Sequence, residues 1–314
     1  MKFDPNLFIK TTCTSLQEFK GGTVLVTVSG GVDSSTSAAL IQEAGIDSKL
    51  VFIDTGFLRT NEAESVKRYF GSKLIVLNKS KLFYKALKNC HNSEEKREVF
   101  RHLYFKIIKE YVLKNNIPAI VQGTQFHKTS TKRYHNSPTK DFLTLPIKVI
   151  EPVRGLSKPQ IRLLAKKLGL PDEVVNRRPF PGPGLLIRFG GNYTPRKLDL
   201  IRKATGIIDK LIEKDKNKYK RCYQIFPYIC EELAPYVNKE SRGAKGHIVL
   251  IRALEAKDLD GEIIYTPFIL PGSTQEEIVG LLMKIDGISR VCFDMTPKLG
   301  SGKKVKPGGT IEYA

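Results

Sequence analysis

TVLVTVSGGVDSS, residues 23–35, is the segment that decides the fold predicted for this chain. Its first six residues form an apolar, β-branched run of the kind that builds a strand covered on both faces. Gly30 and Gly31 follow at once, and a helical pattern then extends from Ser34 to Glu43. A strand, a Gly-rich turn and a helix in this order are typical of a phosphate-binding loop, in which backbone N–H groups and the helix dipole face the anion.

The residues of this turn suit phosphate chemistry individually. The glycines permit a tight turn with no Cβ in the way of an oxyanion, and the serine hydroxyls are further donors. No Gly-Lys-Ser/Thr sequence follows, so the turn is not a Walker A motif. Asp33 is a candidate catalytic residue and Mg²⁺ ligand, because a departing pyrophosphate needs its charge neutralised; a simple helix cap is the alternative. The residues predicted to bind ATP or pyrophosphate here are Ser29, Gly30, Gly31, Val32, Asp33, Ser34 and Ser35.

Further short apolar runs predict strands that alternate with helical patterns along the first half of the chain. Such alternation predicts right-handed βαβ units, and therefore an α/β fold with a parallel sheet and helices on both faces. The strands are predicted at Thr23–Val28, Lys49–Ile53, Lys73–Leu77, Ala119–Val121 and Ile147–Ile150, and the helices at Ser34–Glu43, Thr60–Phe70 and Ser93–Asn115.

Polar residues follow several of these strands at the edge where parallel sheets bind their ligands. Asp54 ends the second strand and is placed to accept hydrogen bonds from an adenosine. The fourth strand ends in Gln122-Gly123-Thr124, and a helix with Lys158 and Arg162 follows the fifth. Any one of these could simply mark the end of a strand, but together they predict a nucleotide site. Asp54, Gln122, Gly123 and Thr124 therefore join the predicted ATP-binding residues, and Lys158 is a predicted catalytic residue.

Two stretches interrupt the regular pattern. Gln125–Pro146 is polar, basic and without periodicity, and we predict a lid at residues 125–146, since loops of this length are usually functional or disordered. The run RRPFPGPGLLIR, residues 177–188, is rich in proline and glycine and is predicted to have no regular structure. We place a boundary there, between a domain of residues 1–176 and a smaller α+β domain of residues 177–314. The second domain is predicted to contain helices at Pro195–Asp215 and Thr274–Asp286, with strands at His247–Arg252, Glu262–Tyr265 and Ser289–Phe293.

The amino-acid composition limits the classes of binding partner and the cellular compartment that are expected. The chain has 52 Lys and Arg against 32 Asp and Glu, a net charge of +20, which favours nucleotides, pyrophosphate or RNA, or else is a solvated basic surface. Its five cysteines form no CxxC pair and predict reduced thiols in a cytoplasmic protein. The N-terminus does not have the pattern of a signal peptide, and no run of 18 apolar residues predicts a membrane span.

Several motifs together resemble those of one family. The SGGVDSS turn is similar to the pyrophosphate-binding PP-loop, and the whole chain resembles the ATP pyrophosphatase subunit of archaeal two-subunit GMP synthetases. The proline-rich signature and the C-terminal TIE are the most specific elements. The matching segments are SGGVDSS (29–35), FIDTGFLRTNE (52–62), SEEKREVF (93–100), QGT (122–124), EPV with Lys158 and Arg162, LGLPDEVVNRRPFPGPGL (168–185), IRAL (251–254), GISRVCFD (287–294) and PGGTIEY (307–313).

The resemblance implies a fold, a reaction and partners. The fold is that of PP-loop, adenine nucleotide α-hydrolase-like proteins, with a C-terminal domain for dimerisation and XMP binding. Such enzymes use ATP and Mg²⁺ to adenylate the C2 oxygen of XMP, release pyrophosphate, and let ammonia displace AMP to give GMP. The ammonia comes from a class I glutaminase, for which this chain has no room, so a separate glutaminase partner is implied, and so is a homodimer. The implied XMP-binding residues are Arg177, Arg252, Lys306, Thr310, Ile311 and Glu312, with Lys306 also catalytic.

The predicted lid departs from the family, and this keeps other functions open. Lys128 and Thr131 stand where the family has Asp and Glu, and an insertion, LGSGKKVK (299–306), precedes PGGTIEY. One alternative is a PP-loop enzyme that activates a tRNA base for thiolation or amination, which the net charge would suit. The other is an inactive homologue that only binds nucleotide.

Overall fold

The computed structural model describes residues 3–124, 140–236, 243–259 and 262–296 of the 314-residue chain. The chain divides into two compact units, neither of which is one continuous segment. The first unit comprises Met1–Gly56, Asn61–Lys81 and Arg101–Gly182, and the second comprises Phe57–Thr60, Leu82–Phe100 and Pro183–Ala314.

A parallel sheet of five strands forms the centre of the first unit, in the order β3-β2-β1-β4-β5. This confirms the α/β prediction, and the strands lie within a residue or two of the expected positions. The three central strands are apolar because helices cover both faces; Leu25 and Val26 of β1, for example, have no exposed surface. The strands are β1 (Val24–Thr27), β2 (Ser48–Asp54), β3 (Leu74–Asn78), β4 (Ala119–Val121) and β5 (Lys148–Ile150).

The helices begin at residues whose chemistry suits a helix N-terminus. In α1, Asp4 caps the first turn by accepting from the N–H of Asn6 at 2.8 Å, and Pro5 occupies the first helical position. In α7, Ser157 and Gln160 form a capping box. The α-helices are α1 (Pro5–Leu16), α2 (Val32–Glu43), α3 (Glu62–Phe70), α4 (Ser80–Leu87), α5 (Ser93–Lys114), α6 (Lys140–Leu143), α7 (Lys158–Lys167), α8 (Asp172–Val175), α9 (Pro195–Lys214) and α10 (Gly272–Leu282).

An apolar cluster fixes α2 against α7 in the first unit. Val32 and Leu40 of α2 pack with Ile161 and Leu164 of α7, and all four side chains are buried. Burial on this scale stabilises the pair by about 1.5–3 kcal/mol for each large side chain. The start of α2, and with it the turn that precedes it, is therefore held by the core of the unit.

The second unit contains a four-stranded sheet built around one long strand, β7 (Lys245–Leu259). It pairs antiparallel with β6 (Gln224–Pro235) and β8 (Glu262–Pro267), and parallel with β9 (Ile288–Asp294). The predicted α+β elements are present, and β6 is an additional strand. No helix in the described ranges is both long and apolar enough to cross a bilayer.

Part of the proline-rich run has regular structure, so that expectation is wrong for its last five residues. Gly184–Arg188 form a 3₁₀ helix with a kink at Ile187. The N–H of Leu185 donates to the carbonyl of Phe57 at 2.7 Å, and Leu185, Leu186 and Ile187 are fully buried. Burial of these apolar side chains outweighs the local preference of the prolines and glycines. Of the predicted lid, residues 125–139 lie outside the described residues, and the remainder includes the short helix α6.

Candidate functional site

The turn predicted to bind phosphate lies at the carboxyl end of β1, the central strand of the sheet. The strand order reverses between β1 and β4, because β2 and β3 lie on one side of β1 and β4 and β5 on the other. The crevice at such a reversal is where open α/β sheets bind their ligands. The sheet therefore brings the ends of β1 and β4 together at the expected place.

Hydrogen bonds within the turn hold it in one conformation. Gly30 has φ +76°, a left-handed conformation that favours glycine, and Gly31 is the N-cap of α2. The Ser34 hydroxyl accepts from the N–H of Ser29 at 3.1 Å and donates to the carbonyl of Gly31 at 3.1 Å. The hydroxyls of Ser29 and Ser34 also lie 3.1 Å apart. Ser34 thus ties the turn together, while Val32 packs into the core.

Four predicted site residues carry a buried polar atom that has no hydrogen-bond partner within the described part of the chain. Ser35, Gln122 and Thr124 are almost fully buried, at 1%, 3% and 0% exposure. Buried polar atoms are normally paired, so an unpaired group in a native fold calls for a specific cause such as a ligand. The unpartnered atoms are Asp33 Oδ1, Ser35 Oγ, Gln122 Nε2 and Thr124 Oγ1.

Gly123 brings the end of β4 against the first turn of α2. A Cβ at this position would lie 2.7 Å from the backbone nitrogen of Ser34 and 3.0 Å from the carbonyl carbon of Asp33. The neighbouring atoms belong to the backbone and cannot rotate away. The missing side chain at Gly123 therefore allows helix–strand packing, and it places Gln122 and Thr124 beside the turn.

Asp33 lies in the first turn of α2 and forms an ion pair with Lys158, the first residue of α7. The Lys158 ammonium donates to Asp33 Oδ2, and both side chains are mostly buried, at 27% and 21% exposure. The alternative that Asp33 caps the helix is wrong, because the N-cap is Gly31 and Asp33 lies within the first turn. Two predicted catalytic residues are thus in direct contact.

The surroundings of Asp33 fit a Mg²⁺ ion held jointly with phosphate. No group of three or more His, Cys, Asp and Glu side chains that could hold a metal occurs among the described residues. Mg²⁺ usually takes only one or two carboxylates together with substrate phosphates and water, so it does not need such a group. Asp33 offers one carboxylate oxygen that has no other partner in the described ranges.

The other predicted ATP-binding residue, Asp54, ends β2. Its Oδ1 accepts from the N–H of Gly56 at 2.9 Å, an Asx-type turn that fixes the carboxylate at the strand end. Gly56 has φ +79°, so a glycine suits this turn. Asp54 is half-buried at the same edge of the sheet as the turn after β1.

Arg177 contacts the turn itself, which sequence reasoning did not anticipate. Its Nη1 donates to the carbonyl of Gly30 at 2.6 Å, and its Nη2 donates to Oε1 of Glu62 at 2.5 Å. The Glu62 side chain is only 3% exposed. Glu62 was missed because a buried acid leaves no mark in hydrophobic periodicity; its place in the matching segment FLRTNE was the only signal.

The second unit holds the other predicted XMP-binding residues. Arg252 donates through Nη1 to Asp294 and through Nη2 to the carbonyl of Thr296 at 3.1 Å, and the Arg252 and Asp294 side chains are about nine-tenths buried. Lys306, Thr310, Ile311 and Glu312 lie outside the described residues. Contact between these residues and XMP stays a prediction.

The fold and the turn define a class, the ATP-utilising PP-loop enzymes. A family model described as Thiamine biosynthesis protein (ThiI) matches residues 19–178, which span the five-stranded sheet. Among solved structures, NMN synthetase from Francisella tularensis matches with a TM-score of 0.45 and 15% identity over 58% of this chain and 78% of that one. Similarity at this level supports no inference about function.

Curated relatives narrow the class to one family. A chain from Archaeoglobus fulgidus, named as one of the subunits of glutamine-hydrolyzing GMP synthase, is 34% identical over 99% of both chains. The protein of the same name from Methanocaldococcus jannaschii is 35% identical, again over 99% of both chains. The chain belongs to this family of GMP synthase subunits and is a carbon–nitrogen ligase, which confirms the resemblance drawn from its motifs.

Proposed function

We propose that the chain adenylates XMP at its C2 oxygen with ATP, releases pyrophosphate, and forms GMP when ammonia displaces AMP. The observation that carries this proposal is the set of unpartnered buried polar atoms around the turn after β1. Their position beside a helix N-terminus suits the two outer phosphates of ATP. Family membership over nearly the whole chain supports XMP as the acceptor, since the relatives are named GMP synthases.

Each part of the site has a role in this chemistry. Backbone N–H groups of Gly31 and the first turn of α2, with the Ser35 hydroxyl, bind the pyrophosphate that leaves the α-phosphorus. Gln122, Thr124 and Asp54 bind other parts of the nucleotide. Asp33 would hold Mg²⁺ together with the phosphates, and the ion would supply charge neutralisation for the leaving group. Lys158, whose ammonium lies beside Asp33, donates to the phosphates.

The remaining assignments extend the proposal to partners. The relatives are named as one of the subunits of a glutamine-hydrolysing enzyme, which supports a separate glutaminase chain as the source of ammonia. We propose a homodimer whose C-terminal domains, from residue 177, bind XMP with Lys306, Thr310, Ile311 and Glu312. Arg252 joins them only if its ion pair with Asp294 opens, because its guanidinium is already engaged. The cytoplasmic location stays a prediction.

A direct assay decides between this function and its alternatives. The purified chain, given ATP, Mg²⁺, XMP and an ammonium salt, should produce pyrophosphate, AMP and GMP in equal amounts. XMP labelled with oxygen-18 at C2 should pass the label to the phosphate of AMP, because the C2–O bond breaks when ammonia enters. Glutamine in place of ammonium should give no GMP with this chain alone.

Matched variants and substrates make the result specific. Ser35→Ala should slow pyrophosphate release, whereas Ser15→Ala, on the exposed face of α1, should not change it. Pyrophosphate release that requires tRNA instead of XMP would point to base activation, which the net charge of +20 favours. No release with either acceptor would leave an inactive homologue that only binds nucleotide.

A further inference from the structure

The guanidinium of Arg177 forms a bridge between the turn and a buried acid. One arm donates to the Gly30 carbonyl at 2.6 Å and the other to Glu62 at 2.5 Å, and the arginine side chain is only 21% exposed. Two charge-assisted bonds from one planar group fix its position and orientation. Because Glu62 opens α3, the bridge ties the turn to a helix of the same unit.

The bridge occupies the space that the missing side chain of Gly30 leaves. A Cβ on Gly30 would lie 2.7 Å from Arg177 Nη1 and 2.6 Å from Cγ2 of Val66. A side chain at position 30 would therefore displace the guanidinium, and it would also be strained by the left-handed φ. In this arrangement the glycine makes room for a cation that supports the turn from within the protein.

The bond to the Gly30 carbonyl also sets the direction of a phosphate donor. The peptide that joins Gly30 to Gly31 is planar and trans, so its C=O and N–H groups point in opposite directions. When Arg177 holds the carbonyl oxygen of Gly30, the N–H of Gly31 is held pointing the other way, where it donates to the Ser29 hydroxyl at 3.5 Å, a long bond that a phosphate oxygen can replace. The guanidinium also offsets the partial negative charge of a carbonyl beside a site for anions.

We infer that Arg177, held by Glu62, is a positioning residue that orients the Gly30–Gly31 peptide for pyrophosphate binding, and that it does not contact XMP. This inference rests on the proposed function, since it deepens the phosphate half of the same site. The resemblance assigned Arg177 to XMP, and the two roles differ in what a substitution should change.

Two measurements on the full chain test the inference. The first is calorimetric binding of inorganic pyrophosphate with Mg²⁺, in the absence of XMP. Arg177→Ala should weaken binding by about 10- to 100-fold, the range expected for loss of charge-assisted hydrogen bonds. Arg177→Lys should recover part of the affinity, because an ammonium reaches one acceptor but cannot span two. Lys148→Ala, which removes an exposed ion pair with Glu18 in the same unit, should leave binding unchanged.

The second measurement is hydrogen exchange of the turn in the protein without ligand. Arg177→Ala should speed exchange in peptides that cover residues 29–35 and leave exchange in the β2 and β3 peptides unchanged. Should Arg177→Ala leave Glu62 too poorly compensated to fold, the double variant Arg177→Met with Glu62→Gln removes both buried charges and should give the same result.

The outcomes separate this inference from the proposed function. Unchanged pyrophosphate affinity and unchanged exchange in Arg177→Ala, with a raised KM for XMP alone, would overturn the positioning role. A raised KM for ATP at an unchanged KM for XMP supports it. If the wild-type chain binds no pyrophosphate, the proposed function fails. Hydrogen exchange still tests the role of Arg177 in that case, because faster exchange of the turn in Arg177→Ala would show that Arg177 holds the turn in place.

Discussion

The ammonium of Lys96 lies 2.8 Å from the carbonyl oxygen of Phe189, in a side chain with no exposed surface. It also lies 4.4 Å from the centre of the Phe189 ring. Burial, and secondly the nearby charge of Lys197, lower the pKa of Lys96 from 10.5 to about 8. At neutral pH this lysine therefore remains mostly protonated, and its ammonium donates to the carbonyl of Phe189.

This pKa predicts how stability should depend on pH. Between about pH 8 and 10.5 the unfolded chain keeps the Lys96 proton while the folded chain has lost it, so stability rises with pH in this window. Relative to Lys96→Met, the wild type should gain about 2–3 kcal/mol in free energy of unfolding between pH 7 and pH 10. Urea unfolding at both pH values measures it.

Lys203→Met controls for the general loss of a lysine, because Lys203 is exposed and forms an ion pair with Asp199 one helical turn away. The difference in free energy of unfolding between wild type and this control should vary little with pH. If the difference between wild type and Lys96→Met were equally independent of pH, this would contradict the assignment of a depressed pKa to Lys96.

The two serines at the start of α2 should respond oppositely to substitution. Ser34→Ala loses bonds to Ser29 and Gly31 and should destabilise the protein by about 1–2 kcal/mol. Ser35→Ala removes a hydroxyl with no partner in the described part of the chain, so its thermal midpoint should not fall. Its affinity for ATP should nevertheless drop about 10-fold. Thermal unfolding and ATP titration of both variants would measure these opposite effects on stability and on ATP affinity. A Ser35→Ala protein that loses stability but binds ATP with normal affinity would refute the prediction.

Gly123→Ala should destabilise the first unit although alanine is a small residue. The added Cβ would meet the backbone nitrogen of Ser34 at 2.7 Å, and overpacking of this kind costs about 1–3 kcal/mol. The matched control is Gly155→Ala, since nothing in the described part of the chain lies within 4 Å of a Cβ there. Unfolding midpoints of the two variants should differ clearly; equal midpoints would show that β4 can move away from α2.

The buried ion pair of Arg252 and Asp294 predicts how substitutions in the second unit should change stability. Arg252→Met leaves the Asp294 carboxylate in a buried place without its guanidinium and should destabilise by about 3–5 kcal/mol. Adding Asp294→Leu should restore most of the loss, because an apolar pair replaces a buried ion pair at little net cost. Urea unfolding of the single and double variants measures this. A single variant of normal stability with a raised KM for XMP would instead favour direct contact with the substrate.

The sequence predicted the sheet well because its strands are buried runs of apolar residues. β1 was placed almost to the residue, and the turn after it was recognised from two glycines between a strand and a helix. The start of α2 was expected at Ser34 and lies at Val32, because helical geometry begins directly after the Gly31 cap. Local patterns of this kind depend on neighbouring residues only, which a sequence displays directly.

What the sequence did not reveal are contacts made by buried charges. Lys96 is fully buried in α5, although a charged residue of this kind predicts an exposed position on a helix. Glu62 is buried because Arg177, 115 residues away along the chain, reaches it. An ion pair between residues so far apart in sequence is a consequence of the tertiary fold, and neither residue alone indicates its partner.

The internal hydrogen bonds of Ser34 have a consequence for turnover. A turn that is assembled before its ligand arrives spends little entropy on closing around an anion, so such preorganisation strengthens binding. The same preorganised turn also binds free pyrophosphate after the α-phosphorus has reacted. Product inhibition by pyrophosphate should therefore be pronounced. Release of pyrophosphate would then limit the rate of the catalytic cycle. Hydrolysis of pyrophosphate elsewhere in the cell would shift the equilibrium of the reaction toward its products.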